Sequence, residues 1–355
     1  MIVKQNQDRV LYLDILRIIT IFAVIILHVS GARWYAAFGT SEWYVLNTFL
    51  TLVRWSVPVF FMLSGAIILD PEYKLTFKKL YTKSIPRLVC ALLFWSIAYR
   101  TLSPITANLL NLKVITSNDW ERIYTEIFLG TPWHHLWFMY VIIGMYILAP
   151  LIRVFTANAE KKHYYYFFIL YLIFGSIIPK INAAYTVHLS FGIDELYSYS
   201  GYFIAGYFFA KYNLAKREKN ILFIIGVLTA IWTVASSTLW AINKGYPGAH
   251  YLEYMAPQTM ILACFIFVLI KNTVNNNAKI LTLKNNKYVT LLASCSFGIY
   301  LVHDFFNILL NLLHISTNSI PPILSIPLLS IFVYTASLGI ILIIRKIPVL
   351  NKWII

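Results

Sequence analysis

Long apolar runs separated by short polar connections make up most of this sequence. Ten such segments can be marked, at 13–32, 46–69, 84–102, 134–152, 164–179, 196–210, 221–240, 256–271, 288–313 and 322–344. A run of about 20 apolar residues can cross a bilayer as a helix, and backbone groups inside hydrocarbon must bond within their own segment. None of the ten alternates strictly between apolar and polar residues, as a barrel strand does. The pattern therefore predicts an all-α, polytopic membrane bundle of about ten transmembrane helices.

The charge content agrees with a membrane location. Only 12% of the 355 residues are charged, whereas a soluble domain carries roughly 25%, which excludes an ordinary soluble enzyme. No long polar insert separates the apolar segments, so we expect one membrane-embedded domain over residues 1–355, with no appended soluble domain. The three cysteines lie far apart in apolar runs without metal-site spacing, and we expect no bound metal.

The basic residues predict the orientation of the bundle. If the N-terminus is cytoplasmic, the loops on that side carry 20 of the 29 Lys and Arg residues and the opposite loops carry 5. Such a bias is the positive-inside pattern of membrane proteins. It predicts that both termini are cytoplasmic. The orientation of the protein in the membrane also accounts for most of the basic residues behind the net charge of +15. We therefore expect membrane lipids as partners and no nucleic-acid partner.

Arg17 and His28 are ionisable residues on the first predicted helix. They are 11 residues apart, which places them on one helical face, about 16 Å apart along the axis. Asp14 lies one turn before Arg17 and could pair with it. A charged group at membrane depth is a candidate for function. Two simpler interpretations stay open, a snorkelling arginine at a helix end and a hydrogen-bonded core histidine.

Arg54 and Arg87 are the next candidates. Arg54 lies eight residues into the second segment, and its guanidinium cannot lose its charge by deprotonation. It therefore needs an anionic partner, a group of carbonyls or a water-filled cavity. Arg87 follows Pro86 at the start of the third segment, where positive-inside anchoring is the alternative. The sequence has no HExxH, GxSxG, P-loop or GxGxxG pattern, so it gives no support to a metalloprotease, a serine hydrolase or a nucleotide-driven pump.

Five motifs in order resemble a known family. They are LDILRIITIFAVIILH, VRWSVPVFFMLSG, HLWFMYVIIGMYILAPLI, SGYFIAGYFF and SFGIYLVH. The sequence resembles the acyltransferase type 3 family of integral-membrane acyltransferases over nearly the whole chain, and is most similar to the enterobacterial common antigen O-acetyltransferase type. Members move an acyl group, usually acetyl, from cytoplasmic acyl-CoA to a hydroxyl of an extracytoplasmic or lipid-linked glycan. The resemblance implies a multi-pass protein of the bacterial inner membrane.

The resemblance also implies roles for particular residues. His28 matches the catalytic histidine of the family, Arg17 its arginine partner and Arg54 the second-helix arginine. The family's RxxR pattern is half matched, because Arg87 is present but Ser84 stands at the first position. The expected donor-binding residues are Arg17, Arg87, Lys83 and Lys79. The expected substrate-binding or supporting residues are His135, Trp137, His303, Ser64 and Tyr300.

These assignments give an expected mechanism. Acetyl-CoA would bind with its phosphates near Arg17, Arg87 and the basic 74–83 loop. His28 would act as a general base on the acceptor hydroxyl or as a transient acyl carrier. Arg54 or a histidine on the outer side would stabilise the oxyanion. A polysaccharide exporter or a proton-coupled transporter is the alternative, since buried Arg and His residues also occur in such carriers.

Overall fold

The architecture is helical throughout the described part of the chain. A computed structural model describes residues 9–107, 117–130, 132–185 and 199–355. Among these residues every regular element is a helix and none is a strand, which confirms the all-α prediction. The helices are α1 Leu11–Gly31, α2 Ser41–Leu52, α3 Ser56–Ile68, α4 Phe77–Lys79, α5 Ile85–Ala107, α6 Ser117–Phe128, α7 Trp137–Asn158, α8 Lys161–Leu172, α9 Ile178–Tyr185, α10 Ser200–Lys211, α11 Lys216–Lys244, α12 Pro257–Asn276, α13 Ala278–Leu281, α14 Lys287–Leu312, α15 Pro322–Ile344 and α16 Pro348–Trp353.

Shorter turns of other helix types join or precede several of these elements. π-helical turns join α4 to α5 (Leu80–Ser84) and α8 to α9 (Ile173–Ile177). 3₁₀ turns lie before α12 (Ala249–Leu252) and after α13 (Thr282–Asn285).

Eight helical stretches within the described residues are long and apolar enough to cross a membrane. They are Leu11–Gly31, Ser41–Ile68, Trp137–Asn158, Lys161–Asn182, Lys216–Lys244, Pro257–Asn276, Lys287–Leu312 and Pro322–Ile344. The other two predicted segments, 84–102 and 196–210, overlap α5 and α10. The polytopic membrane fold is thus confirmed. The count of ten spans and the cytoplasmic termini stay predictions.

The chain forms two compact units, each described here by itself. Unit 1 comprises Met1–Tyr73, Leu151–Ser296 and Thr317–Ser330. Unit 2 comprises Lys74–Pro150, Phe297–Ser316 and Ile331–Ile355.

Two glycines bring α3 and α10 of unit 1 into backbone contact. A Cβ atom added at Gly65 would lie 1.8 Å from the carbonyl oxygen of Phe203, and one added at Gly206 would lie 1.8 Å from that of Met62. Small residues allow this close approach of membrane helices. The contact explains the glycines in the MLSG and FIAG stretches of the sequence. α3 also packs against α1, which contacts α2 and α12 as well.

The second predicted helix is not continuous, which corrects the segment 46–69. α2 ends at Leu52 and α3 begins at Ser56, so Arg54 lies in a turn between them. The physical reason is Pro58, which has no N–H to donate to the carbonyl four residues earlier and whose ring would clash with it. That carbonyl belongs to Arg54. The side chain of Arg54 therefore projects from a helix break instead of from a helix face.

Lys271 was expected in a cytoplasmic loop, but it lies within α12 and is only 7% exposed. Its Nζ donates to the carbonyl oxygens of Phe209 and Ala210, at 2.6 and 3.2 Å. Both carbonyls belong to the last turn of α10, where carbonyl groups lack helical partners and carry partial negative charge. Lys271 therefore lies within a helix and caps α10, which corrects its assignment to a loop.

Candidate functional site

Arg17 and His28 lie on one uninterrupted helix, α1, as the sequence predicts. Both side chains are half-buried, and the 11-residue spacing keeps them on one helical face. His28 lies in the last turn of α1, where its backbone carbonyl accepts a hydrogen bond from the N–H of Ala32 at 3.1 Å. A regular helix thus holds the two groups in a fixed relation along its axis.

Asp14 holds Arg17 in place. Nη1 of Arg17 lies 2.9 Å from Oδ1 of Asp14, which confirms the predicted pair. Nε of Arg9 lies 2.9 Å from Oδ2 of the same carboxylate. Asp14 is only 5% exposed, and a buried carboxylate needs such partners to stay charged. The three side chains form one arginine–aspartate–arginine bridge at the start of α1.

Arg54 is balanced by a carbonyl and an aromatic ring. Its Nε donates to the carbonyl oxygen of Leu252, and its guanidinium carbon lies 4.3 Å from the ring centroid of Tyr254. Within the described residues no carboxylate forms an ion pair with it. Burial raises the pKa of the Tyr254 hydroxyl and Arg54 opposes that shift, so the ring facing Arg54 is a neutral phenol. A carbonyl is one of the three kinds of partner that the sequence analysis allowed for Arg54, and the contact with Tyr254 was missed.

Leu252 and Tyr254 belong to a segment, residues 251–255, that we call the strap. Each of its five successive carbonyl oxygens accepts a hydrogen bond from a side chain. The donors are Gln258 to Tyr251 (3.3 Å), Arg54 to Leu252, Thr259 to Glu253 (3.0 Å), Tyr202 to Tyr254 (2.5 Å) and Ser176 to Met255 (2.6 Å). Backbone outside a regular α-helix needs partners from the protein around it. The strap therefore has a defined shape, and Arg54 is one of the groups that fix it.

Ser64 lies on α3, next to Gly65, and is half-buried. It belongs to unit 1, as do the three residues predicted to be catalytic, His28, Arg17 and Arg54. α1 packs against α2 and α3, the two helices on either side of Arg54. Unit 1 thus contains the whole predicted catalytic set.

His135, Tyr300 and His303 come together in unit 2. The hydroxyl of Tyr300 donates to the carbonyl oxygen of His135 at 2.6 Å, and the rings of the two histidines are 4.9 Å apart. Nδ1 of His303 lies 2.7 Å from the carbonyl oxygen of Tyr300. A carbonyl only accepts hydrogen bonds, so Nδ1 carries the proton and the tautomer of His303 is fixed. Both histidines are buried.

Asp304 is a polar centre of unit 2 that the sequence analysis missed. It is 3% exposed. Its Oδ2 accepts the indole N–H of Trp133 at 2.5 Å, its Oδ1 accepts the amide of Asn307 at 2.9 Å, and Nε2 of His134 lies 3.5 Å from Oδ2. The signal was present, because an acidic residue within an apolar helix is itself a functional candidate.

The donor set around Asp304 also bears on metal binding. His134, His135 and Asp304 offer three ligand atoms within 4.8 Å of one another. Both oxygens of Asp304 already accept N–H groups, from Trp133 and Asn307. Asp304 is thus a hydrogen-bonded carboxylate, each of whose oxygens accepts one of these N–H groups.

The remaining predicted residues also lie in unit 2. Nη2 of Arg87 donates to the backbone oxygen of Ile355. Beside it, Nε1 of Trp95 donates to the carbonyl oxygen of Ile354 at 2.8 Å. In this structure Arg87 thus holds the segment after α16. Lys83 is exposed in the π-helical turn, Lys79 is half-buried, and Trp137 is the first residue of α7. Their roles in binding the donor or the substrate stay predictions.

Comparison with known proteins gives one match. A family model described as an acyltransferase domain, that of acyltransferase 3, matches residues 10–345. The match includes every residue predicted for the site. No curated protein and no solved structure matches the chain, so the resemblance to the common-antigen type stays a prediction.

Proposed function

Because this chain belongs to the acyltransferase 3 family and is therefore a multi-pass membrane acyltransferase, we propose that it transfers an acetyl or other short acyl group from cytoplasmic acyl-CoA to a hydroxyl of an extracytoplasmic or lipid-linked glycan. The observation that carries the proposal is the pair Arg17 and His28 on one face of α1. Family membership favours this enzyme over an exporter or a proton-coupled transporter. The proposed location is the bacterial inner membrane.

Arg17 is the proposed contact for the donor. A guanidinium matches the geometry of a phosphate group and keeps its charge in a low-dielectric setting. Asp14 fixes one edge of that guanidinium at 2.9 Å, which orients the group before the donor binds. An arginine that is held in place loses less conformational entropy on binding its ligand.

His28 is the proposed general base. It takes the proton of the acceptor hydroxyl as the oxygen forms a bond to the acyl carbonyl carbon. The electron pair of the carbonyl moves to oxygen, and the N–H groups of Arg54 stabilise that oxyanion. When the intermediate collapses, the C–S bond breaks and the thiolate takes the proton from His28. The products are an ester and free CoA.

The alternative use of His28 is as a transient acyl carrier. Its unprotonated ring nitrogen would attack the thioester, the C–S bond would break, and CoA would leave as the thiol after taking up a proton. The acceptor hydroxyl would then attack the acyl-imidazole, and its proton would return to the histidine. Both routes need His28 and the same oxyanion stabilisation, so they share one test.

That test uses the purified protein in lipid vesicles. The probes are radiolabelled acetyl-CoA and lipid-linked glycans extracted from the source cells. We expect release of free CoA and label in the glycan fraction, both lost in His28→Ala while the protein stays monodisperse. His314→Asn is the matched control, because His314 is exposed and has a φ of 55°, which asparagine tolerates. Full activity in His28→Ala would contradict the proposed mechanism, and an intact thioester with wild-type protein would contradict the proposed function.

A further inference from the structure

Arg54 lies at the centre of a candidate span. It is the fourteenth of the 28 residues of Ser41–Ile68, in the turn where the helix is interrupted. A long, flexible side chain at this depth has many rotamers, and a group that stabilises a transition state has to be placed to within a fraction of an ångström. The groups that hold the guanidinium plane of Arg54 therefore affect the reaction as well as the fold.

Two contacts hold that plane. One edge is fixed at Nε by the carbonyl of Leu252, and one face is covered by the ring of Tyr254, 4.3 Å from the guanidinium carbon. A hydrogen bond at Nε leaves the side chain able to turn about the bonded nitrogen. A ring against the face removes that rotation.

The two contacts leave one side of the guanidinium open. Within the described residues no hydrogen bond from Nη1 or Nη2 of Arg54 occurs, and its contacts are those at Nε and at the ring face. The terminal nitrogens carry four N–H donors in a planar fork. A fork held at its back edge and one face is suited to receive an oxyanion at its front edge.

We propose that Tyr254 is a positioning residue for Arg54: its ring fixes the guanidinium so that Nη1 and Nη2 point toward the acyl carbonyl oxygen in the transition state. This inference rests on the proposed function, in which Arg54 stabilises the oxyanion. Tyr254 exchanges no atoms or electrons with the substrate. It acts through the cation–π contact, which is strongest for an electron-rich aromatic ring.

Tyr254 is itself well placed for this role. Its backbone carbonyl accepts the hydroxyl of Tyr202 at 2.5 Å, and the next carbonyl, that of Met255, accepts the hydroxyl of Ser176 at 2.6 Å. The backbone on both sides of the ring is thus attached to neighbouring helices. Tyr254→Leu keeps these backbone bonds and removes the ring.

The experiment separates the ring from the hydroxyl and from general stability. CoA release is measured for wild-type protein, Tyr254→Phe and Tyr254→Leu over a range of acetyl-CoA concentrations, with the same glycan extract as acceptor. We expect Tyr254→Phe to stay within about twofold of wild type. We expect Tyr254→Leu to lose about tenfold to a hundredfold in kcat with its KM for acetyl-CoA nearly unchanged, which is the pattern of a lost transition-state contact. Tyr246→Leu is the control, since Tyr246 is exposed and its described ring contact is with Trp240.

Each outcome decides the proposal. An unchanged kcat in Tyr254→Leu overturns it, and so does an equal loss in Tyr254→Phe, because the hydroxyl would then be responsible. If Tyr254→Leu is not monodisperse, Tyr202→Phe replaces it, since this variant releases the Tyr254 carbonyl and must lower kcat without raising KM. No CoA release by wild-type protein would overturn the proposed function and this inference with it, whereas a variant-specific result concerns Tyr254 alone.

Discussion

Gly65 and Gly206 form a reciprocal contact in which each glycine faces the backbone of the other helix. The added Cβ at either position would lie 1.8 Å from a carbonyl oxygen, a distance that no rotamer change can relieve. The contact sets the separation of α3 and α10. It therefore governs the position of Ser64 and of the break that carries Arg54.

We expect Gly65→Ala to destabilise unit 1 by about 1–3 kcal/mol, the usual cost of overpacking a close contact. The measurement is the thermal unfolding midpoint of the purified protein in detergent. Gly144→Ala is the control, because nothing lies within 4 Å of a Cβ added at that helical position. Equal midpoints for the two variants would show that α3 and α10 separate at no cost.

Arg17→Ala should raise the KM for acetyl-CoA by about tenfold to a hundredfold, because a hydrogen bond to a charged group contributes about 1.5–3 kcal/mol. The matched control is Arg9→Ala, which also removes an arginine bonded to Asp14 at 2.9 Å. If the two variants raise KM equally, the effect comes from the Asp14 bridge and Arg17 has no separate role in donor binding.

Lys271→Met should lower the stability of unit 1 by about 2–4 kcal/mol. The methionine fills a similar volume but leaves the carbonyls of Phe209 and Ala210 without the ammonium that now binds them, and buried acceptors without a partner are costly. Thermal unfolding is the measurement, with Lys284→Met at an exposed position as the control. Lys271 bears no proposed role in the reaction, so residual activity per folded molecule should match wild type.

Substitutions at Asp304 should have graded effects. Asp304→Ala removes the acceptor of the Trp133 and Asn307 N–H groups and should cost about 3 kcal/mol. Asp304→Asn should cost about half as much, because the Asn307 amide can turn and present its oxygen. The thermal midpoints of both variants are compared with that of Glu121→Gln, an exposed carboxylate. Reversal of the order would contradict a hydrogen-bonding role.

The sequence was sufficient for features that depend on hydropathy and helical spacing. The apolar runs predict the spans, and 11 residues on a regular helix place Arg17 and His28 on one face without knowledge of any other helix. The pair of Asp14 with Arg17 is similarly local, three residues apart. Each of these follows from the geometry of a single helix.

The sequence was insufficient where the partner is distant along the chain. Arg54 and Leu252 are 198 residues apart, and no periodicity relates them. The sequence analysis placed Arg54 within one continuous segment, whereas in the structure a turn between α2 and α3 interrupts the helix at Arg54. Lys271 was misassigned for a similar reason, because its carbonyl partners lie 61 and 62 residues away and a positive charge near a helix end resembles a loop residue.

The five carbonyl contacts of the strap have a consequence for how this segment is encoded. Every residue type carries a backbone carbonyl, so these five hydrogen bonds do not depend on which side chains the strap carries. Side chains of the strap also make contacts of their own, among them the ring of Tyr254 against Arg54 and the carboxylate of Glu253 with Lys180. The donor residues cannot be substituted in this way, because each donates its hydrogen bond through its own side chain. The residues whose side chains fix the backbone of the strap therefore lie in other parts of the chain. In a distant relative, the equivalent segment is better identified by these donors than by its own sequence.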